Sequence, residues 1–330
     1  MTDLKSLLET RPVLLADGGM GTGLFAVGLS TGDSPELWNV EHPDRVAAVH
    51  RGFVEAGSDV ILTNSFGGNR HRLKLHQFQD RVDELNRAAA TVARGVAESA
   101  GRPVVVGGSI GPTGELIVPL GSLAMEDVVA AFAEQATALA EGGVDVLWIE
   151  TMSSAEEVEA AVQGAIATDL PVVVTLSFDT NGRTMMGLTP EAAAALVHRL
   201  PRRPLGFGAN CGTGPGQLLA TVLGLKAVAD QGDVIVAKGN CGIPEYRDGH
   251  ICYSGTPEIM AEYARLARDC GARIVGGCCG TTATHVAAMR EALDHGERGP
   301  APDLAAIPAG LGPVVLPAAP GGSERRRRRG

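Results

Sequence analysis

Two thiols stand side by side in Ile274-Val275-Gly276-Gly277-Cys278-Cys279-Gly280-Thr281-Thr282. Along a regular strand neighbouring side chains point to opposite faces, so adjacent sulfurs converge only where a strand gives way to a turn. The apolar run 272–275, followed by glycines and threonines, has that form. A thiophilic metal is the natural object at such a point. The bland reading, two small buried apolar side chains, is common for free cysteines. Against it stand the flanking glycines, which offer little packing surface and much backbone freedom. The leading third ligand is Cys211, which follows another apolar run, 205–210, and precedes Gly212. Three thiolates leave one coordination position open, the arrangement of a zinc that binds and activates a substrate. A closed structural site would take four ligands, usually from paired C-x-x-C knuckles, and the chain has none. Cys270 reads as core, Cys252 as a spectator thiol in a loop, and Cys241 stays ambiguous because it also follows a strand-like run.

These residues need elements to hold them. Eight short apolar runs, at 13–16, 60–64, 104–110, 144–150, 172–178, 205–210, 234–238 and 273–277, read as strands. Amphipathic stretches rich in Ala, Leu and Glu lie between them, as at 44–56, 81–100, 124–141, 154–168 and 190–200. Ser154 with Glu157 three positions on matches a capping box. Strand and helix alternating eight times predicts an α/β fold of the (β/α)8 type, a TIM barrel over residues 1–298. A doubly wound open sheet is the rival, but its nucleotide fingerprint is matched only loosely, at Gly21, Gly23 and Ala26. In a barrel the C-terminal ends of all strands share one rim, where the chemistry sits. Asp17, Gly18, Thr63, Phe66, Glu150, Cys211, Asn240, Cys278 and Cys279 all fall at such ends.

The chain has 330 residues, 45% of them hydrophobic, enough for one large core. Six cysteines without a secretory leader predict reduced thiols and a cytoplasmic location. No apolar run approaches the length of a membrane span. Net charge is −10; setting aside the five arginines at 325–329 leaves 23 basic against 38 acidic side chains, a net of −15. An acidic body argues against a nucleic-acid groove. Residues 299–330 read as a Pro/Ala/Gly-rich tail, flexible towards its end.

Asp17-Gly18-Gly19-Met20-Gly21-Thr22, the stretch 57–67, Ile110-Gly111-Pro112-Thr113-Gly114-Glu115, Gly208-Ala209-Asn210-Cys211 and Gly276-Gly277-Cys278-Cys279-Gly280-Thr281 together resemble the homocysteine S-methyltransferases. That family includes betaine–homocysteine methyltransferase and the homocysteine-binding module of cobalamin-dependent methionine synthase. The resemblance runs in order over residues 10–295. It implies a zinc-bearing barrel that methylates the homocysteine sulfur to give methionine, with Cys211, Cys278 and Cys279 holding Zn2+. It also implies that Asp17, Gly18 and Glu150 grip the amino-acid end of homocysteine, with Thr63 close by. Asn240 matches an asparagine that relatives of the methionine-synthase type place on the metal in the absence of substrate. The chemistry is coherent, since a free thiol is mostly protonated at neutral pH and metal binding makes it a thiolate.

The methyl donor is harder to read. No cobalamin module is present: Asp248-Gly249-His250 begins like D-x-H-x-x-G, but Tyr253 takes the final glycine position. The donor is then a small onium compound or a separate methyl-corrinoid protein. Aromatic faces hold methylated cations, yet the chain has only 7 Phe, 3 Tyr and 2 Trp. The animal betaine enzymes have a Trp and a Tyr where Ser34 and Gly67 stand here, so Trp38, Phe66 or Phe25 would have to build another cage, with Trp38 and Phe66 the candidates for the donor pocket. Ser34-Pro35-Glu36-Leu37-Trp38-Asn39, Thr184-Met185-Met186-Gly187 and the Arg-rich end are most similar to bacterial proteins assigned as betaine–homocysteine methyltransferases. Glycine betaine is therefore expected first, then a sulfonium such as S-methylmethionine or dimethylsulfoniopropionate, then a corrinoid partner. His71 and His76 lie in a basic run that reads as a solvated helix face. A zinc hydrolase would show His and carboxylate ligands, which this rim lacks. A non-enzymatic reading, the arginine run docking on nucleic acid or an acidic partner, stays open, as does a homo-oligomer.

Overall fold

Eight parallel strands close into a ring. A computed structural model describes residues 3–247 and 250–315. The strands in chain order are β1 (Leu14–Leu15), β2 (Val60–Leu62), β3 (Val105–Ile110), β4 (Val146–Met152), β5 (Val172–Leu176), β6 (Gly206–Cys211) and β7 (Ile235–Gly239). A hairpin of β8 (Pro244–Arg247) and β9 (His250–Tyr253) follows, and β10 (Ala272–Gly277) completes the barrel. Neighbours run β1-β10-β7-β6-β5-β4-β3-β2, and a parallel bridge from Ala16 to Val60 joins the two ends. That bridge excludes the open sheet and makes the fold a (β/α)8 TIM barrel.

Period-two alternation builds two apolar layers from the same strands. Leu14, Ala16, Val60, Leu62, Val105, Val146, Trp148, Val173, Val236 and Ile274 form one cluster, the barrel interior. Their neighbours Leu15, Ile61, Val106, Leu147, Ile149, Val174, Ala237 and Val275 join the larger cluster that packs beneath the helices. A helix the periodicity did not announce, Leu4–Thr10, is capped by Asp3 and brings Leu4, Leu7 and Leu8 to the interior cluster.

Helices Pro43–Glu55, Val82–Ser99, Met125–Glu141, Ala155–Ala165 and Pro190–Arg199 fall within a residue or so of the stretches expected, except where a 3-10 turn, Ile166–Thr168, ends the fourth. The capping box is only half formed. Ser154 accepts from Glu157 N, but the Glu157 carboxylate turns away and accepts from the Thr113 N–H and hydroxyl, at 2.8 and 2.7 Å. No described helix is long and apolar enough to cross a membrane.

The hairpin is tied at its base. Gly255 N donates to Cys241 O at 3.0 Å, and the buried Cys241 thiol donates to Gly255 O at 3.3 Å. Cys252 lies on β9 and is exposed, while Cys270 is core. Of the tail, 299–315 runs back along the barrel: Ile307 and Leu311 are buried and Val315 N donates to Gln217 Oε1 at 2.7 Å. The arginine run lies outside the described residues.

Candidate active site

Strand register brings the thiols together. Gly239 on β7 is level with Cys211 on one side and with Gly277, just before Cys278, on the other. Cys211 has a left-handed backbone, φ +61°, which turns the last residue of β6 out of its strand. The sulfurs of Cys211, Cys278 and Cys279 lie within 4.8 Å of one another, with Cys211 and Cys279 at 3.8 Å. Tetrahedral zinc with bonds of ~2.3 Å separates its sulfurs by about 3.8 Å, so the donor set and its spacing both fit that ion. The sulfurs share protons: Cys279, hydrogen-bonded by the thiols of Cys211 and Cys278, is drawn well below the usual thiol range, while those contacts push Cys211 up.

The residues around the cluster lock it. Asn240 donates to Gly212 O at 2.7 Å and accepts from Cys279 N at 3.1 Å, so one amide clips both thiol-bearing loops. Asn210, wholly buried, donates to Thr151 Oγ1 and, at 3.8 Å, to Cys278 Sγ. Tyr253 of the hairpin was not foreseen as a site residue. Its ring covers Gly280, where a Cβ would come within 2.2 Å of it, beside Cys279.

A cavity of about 390 Å³ opens from the three sulfurs, lined also by Asp17, Glu36, Phe66, Glu150 and Lys238. Each Asp17 oxygen has a partner: Oδ2 accepts from Leu62 N at 2.7 Å and Oδ1 from Lys238 Nζ at 2.6 Å. Burial alone would pull Lys238 down, but Asp17 and Glu150 outweigh it and the ammonium is held. Glu150 has one side-chain donor, Ser109 Oγ, and burial pushes its pKa up to about 7. Thr63 Oγ1 accepts from Ser109 N at 2.9 Å and meets Ser65 Oγ at 2.6 Å, so it steadies Ser109 beneath Glu150. Gly18 leaves no room for a side chain: a Cβ would sit 2.4 Å from Thr281 O.

Lys238 and Ser109 were missed in the sequence; a lone lysine in the apolar run 234–238 was the one available signal. Phe66 lies on the cavity wall. Trp38 does not: it packs with Leu24, Leu29 and Val46, with Arg45 over its ring at 5.2 Å and His42 at its edge. His71 and His76 lie away from the cavity lining as well.

The family model of the homocysteine S-methyltransferases matches residues 14–293. The chain belongs to that family. Methionine synthases of Mycobacterium tuberculosis and Mycobacterium leprae are each 31% identical to it, over 90% and 91% of the chain. The chain spans about a quarter of their length, 26% in both cases. Among solved structures, the oxidized form of the homocysteine methyltransferase MmuM from Escherichia coli is 25% identical, with a TM-score of 0.73 over 87% of this chain and 98% of that one. Its metallated form superposes with a TM-score of 0.72 at 24% identity.

Proposed function

We propose that this family member transfers a methyl group from a small onium donor, glycine betaine first, to the sulfur of homocysteine, giving methionine, with residues 1–298 as the working unit. The observation that carries the reading is one cavity with three sulfurs at zinc spacing on one wall and an under-paired buried carboxylate, Glu150, on another. Cys211, Cys278 and Cys279 would hold the zinc, which when bound supplies a Lewis acid that keeps the substrate sulfur a thiolate at neutral pH. Asn240 fixes the two ligand loops with both ends of its amide, and would release one of these bonds to take the open metal position in the absence of substrate. Glu150 is suited to the α-ammonium of homocysteine, because it is buried and Asp17 already takes Lys238. Ser109 and Thr63 aim the Glu150 carboxylate. The barrel mainly aligns donor and acceptor for an in-line displacement.

Purified protein is expected to carry about one zinc per chain, by the open three-thiolate site, and to form methionine from homocysteine plus betaine. Replacing Cys278 and Cys279 together by Ala should remove the metal and nearly all turnover while the barrel stays folded. Full zinc content in that double variant would refute the ligand assignment. Turnover only after adding a methyl-corrinoid protein, with betaine and the sulfonium donors silent, would replace the onium donor by that partner.

A further inference from the structure

We propose that Glu36 is the counter-charge that holds the positive centre of the methyl donor. The inference rests on reading the cavity as a methyl-transfer site and names a specificity-determining residue within it. Glu36 is 6% exposed and lines the same cavity as the three cysteines. Its Oε1 accepts from Gly67 N at 2.8 Å and its Oε2 from Ser34 Oγ at 3.0 Å. Among the described residues no Lys, Arg or His lies within ion-pair distance of it. Buried carboxylates are ordinarily paired with a cation, because desolvation disfavours the charged form. Here the recorded partners are two neutral donors, and the carboxylate borders open cavity.

The carboxylate is locked in place rather than folded in by chance. Asn64 Nδ2 donates to Pro35 O at 2.7 Å, and Asn39 Nδ2 donates to Asn64 O at 2.7 Å, which ties the turn that carries Glu36 to the end of β2. Gly67 makes the approach possible: a Cβ there would sit 2.8 Å from Glu36 Oε1. A larger residue at 67 would evict the carboxylate. Phe66, next in chain and 37% exposed, adds an aromatic side chain to the lining of the same cavity. Lys238, the one basic residue among the described residues of the cavity wall, is committed to Asp17 on the homocysteine side. The donor side therefore presents a negative charge and a ring, which suits a small methylated ammonium or sulfonium.

The chemistry says how this charge acts. The homocysteine thiolate forms a bond to the methyl carbon while the bond from that carbon to the onium nitrogen or sulfur breaks. The bonding pair stays on the departing heteroatom, which becomes neutral, and the thiolate charge disappears into the thioether. Attraction between Glu36 and the donor is thus greatest before transfer and fades through it. Binding that is stronger in the ground state than in the transition state lowers KM and cannot raise kcat, so its removal shows in donor KM and leaves kcat equal or higher. The departing neutral product also loses its hold on the site.

Glu36→Gln keeps an acceptor for Gly67 N, lets the Ser34 hydroxyl turn to accept from the amide N–H, and removes the charge. It should raise the KM of whichever donor turns over (betaine, S-methylmethionine or dimethylsulfoniopropionate, assayed separately) by about tenfold or more, leaving the homocysteine KM in place and the loss confined to donor KM rather than kcat. A charge-only readout accompanies it: calorimetry of homocysteine-loaded protein with choline and with its uncharged carbon counterpart, 3,3-dimethylbutan-1-ol. The unaltered protein should prefer choline by about tenfold or more, and Glu36→Gln should lose most of that preference. No preference in the unaltered protein, or an undiminished one in the variant, overturns the assignment. Homocysteine binding, measured first in the same titration, separates this outcome from failure of the methyl-transfer reading itself.

Discussion

Two buried carboxylates stand at opposite ends of the barrel and have opposite surroundings. Asp59, at the N-terminal end of β2, is 1% exposed and meets Arg11, Arg290 at 3.3 Å and Arg102 at 3.8 Å, with Leu15 N donating at 2.9 Å. Glu150, at the C-terminal end of β4, is nearly as buried but has a single side-chain donor, Ser109, and shares Lys238 with Asp17. Both oxygens of the first are engaged, joining Arg11, β1 and the helix Ala283–His295 at the start of β2. The second is left short of partners, facing a cavity. A saturated buried charge holds a fold; an under-paired one holds something that arrives.

The contrast can be broken at either end. Asp59→Asn should cost about 3 kcal/mol of stability, because it strands three arginines around a neutral amide, discounted for their partial exposure. Denaturant unfolding checks this, and the homocysteine KM of the folded fraction should be unmoved. A smaller loss than 1 kcal/mol would mean the arginines find water instead.

Glu150→Gln should behave in reverse. Losing a charged hydrogen bond to the substrate ammonium costs about 1.5–3 kcal/mol, roughly 10- to 150-fold in homocysteine affinity. Stability should rise at the same time. The Glu150 pKa is raised from 4.5 to about 7, so the folded state holds that proton more tightly than the unfolded one. Its contribution is complete below about pH 4.5 and is lost as pH climbs through 7. At pH 8 the variant should therefore gain on the order of 2 kcal/mol, and the gain should vanish by pH 4. In the unaltered enzyme the homocysteine KM should climb as pH falls through 7, and in the variant it should stay flat across that range. A Glu150→Gln protein less stable at pH 8 would show that the carboxylate has partners of its own.

The smallest effect belongs to the donor wall. Phe66→Ala should weaken donor use by about 0.5–2 kcal/mol, the range for a cation held on an aromatic face. A homocysteine effect of equal size would place Phe66 on the other side of the cavity.

The strands and the rim were legible because periodicity and glycine turns are local signals, and eight repeats of them admit few folds. The three cysteines were legible by residue type. What escaped depends on who faces whom across the barrel. Ser109 is one serine in an apolar strand until register places it beside Glu150. Glu36 reads as an ordinary acidic residue in a helix-start turn. Trp38 was drawn to the donor pocket by its chemistry alone, and a four-residue helix, Trp38–Glu41, has too little periodicity to reveal which way the indole points. The hairpin went unseen because its first strand opens with Pro244 and neither strand exceeds 4 residues.

That hairpin is fastened at its root by Cys241 and Gly255, 14 positions apart, and the knot sits directly on the main chain of Cys279, whose carbonyl accepts from Cys241 N at 2.9 Å. The segment beyond the knot includes Tyr253, whose ring reaches back over Gly280 of the thiol loop. Doubling such a segment costs only about 0.6 kcal/mol of closure entropy. The knot thus seats the hairpin, and with it Tyr253, against the loop that carries two of the sulfurs, so a longer hairpin tip would leave that seat in place.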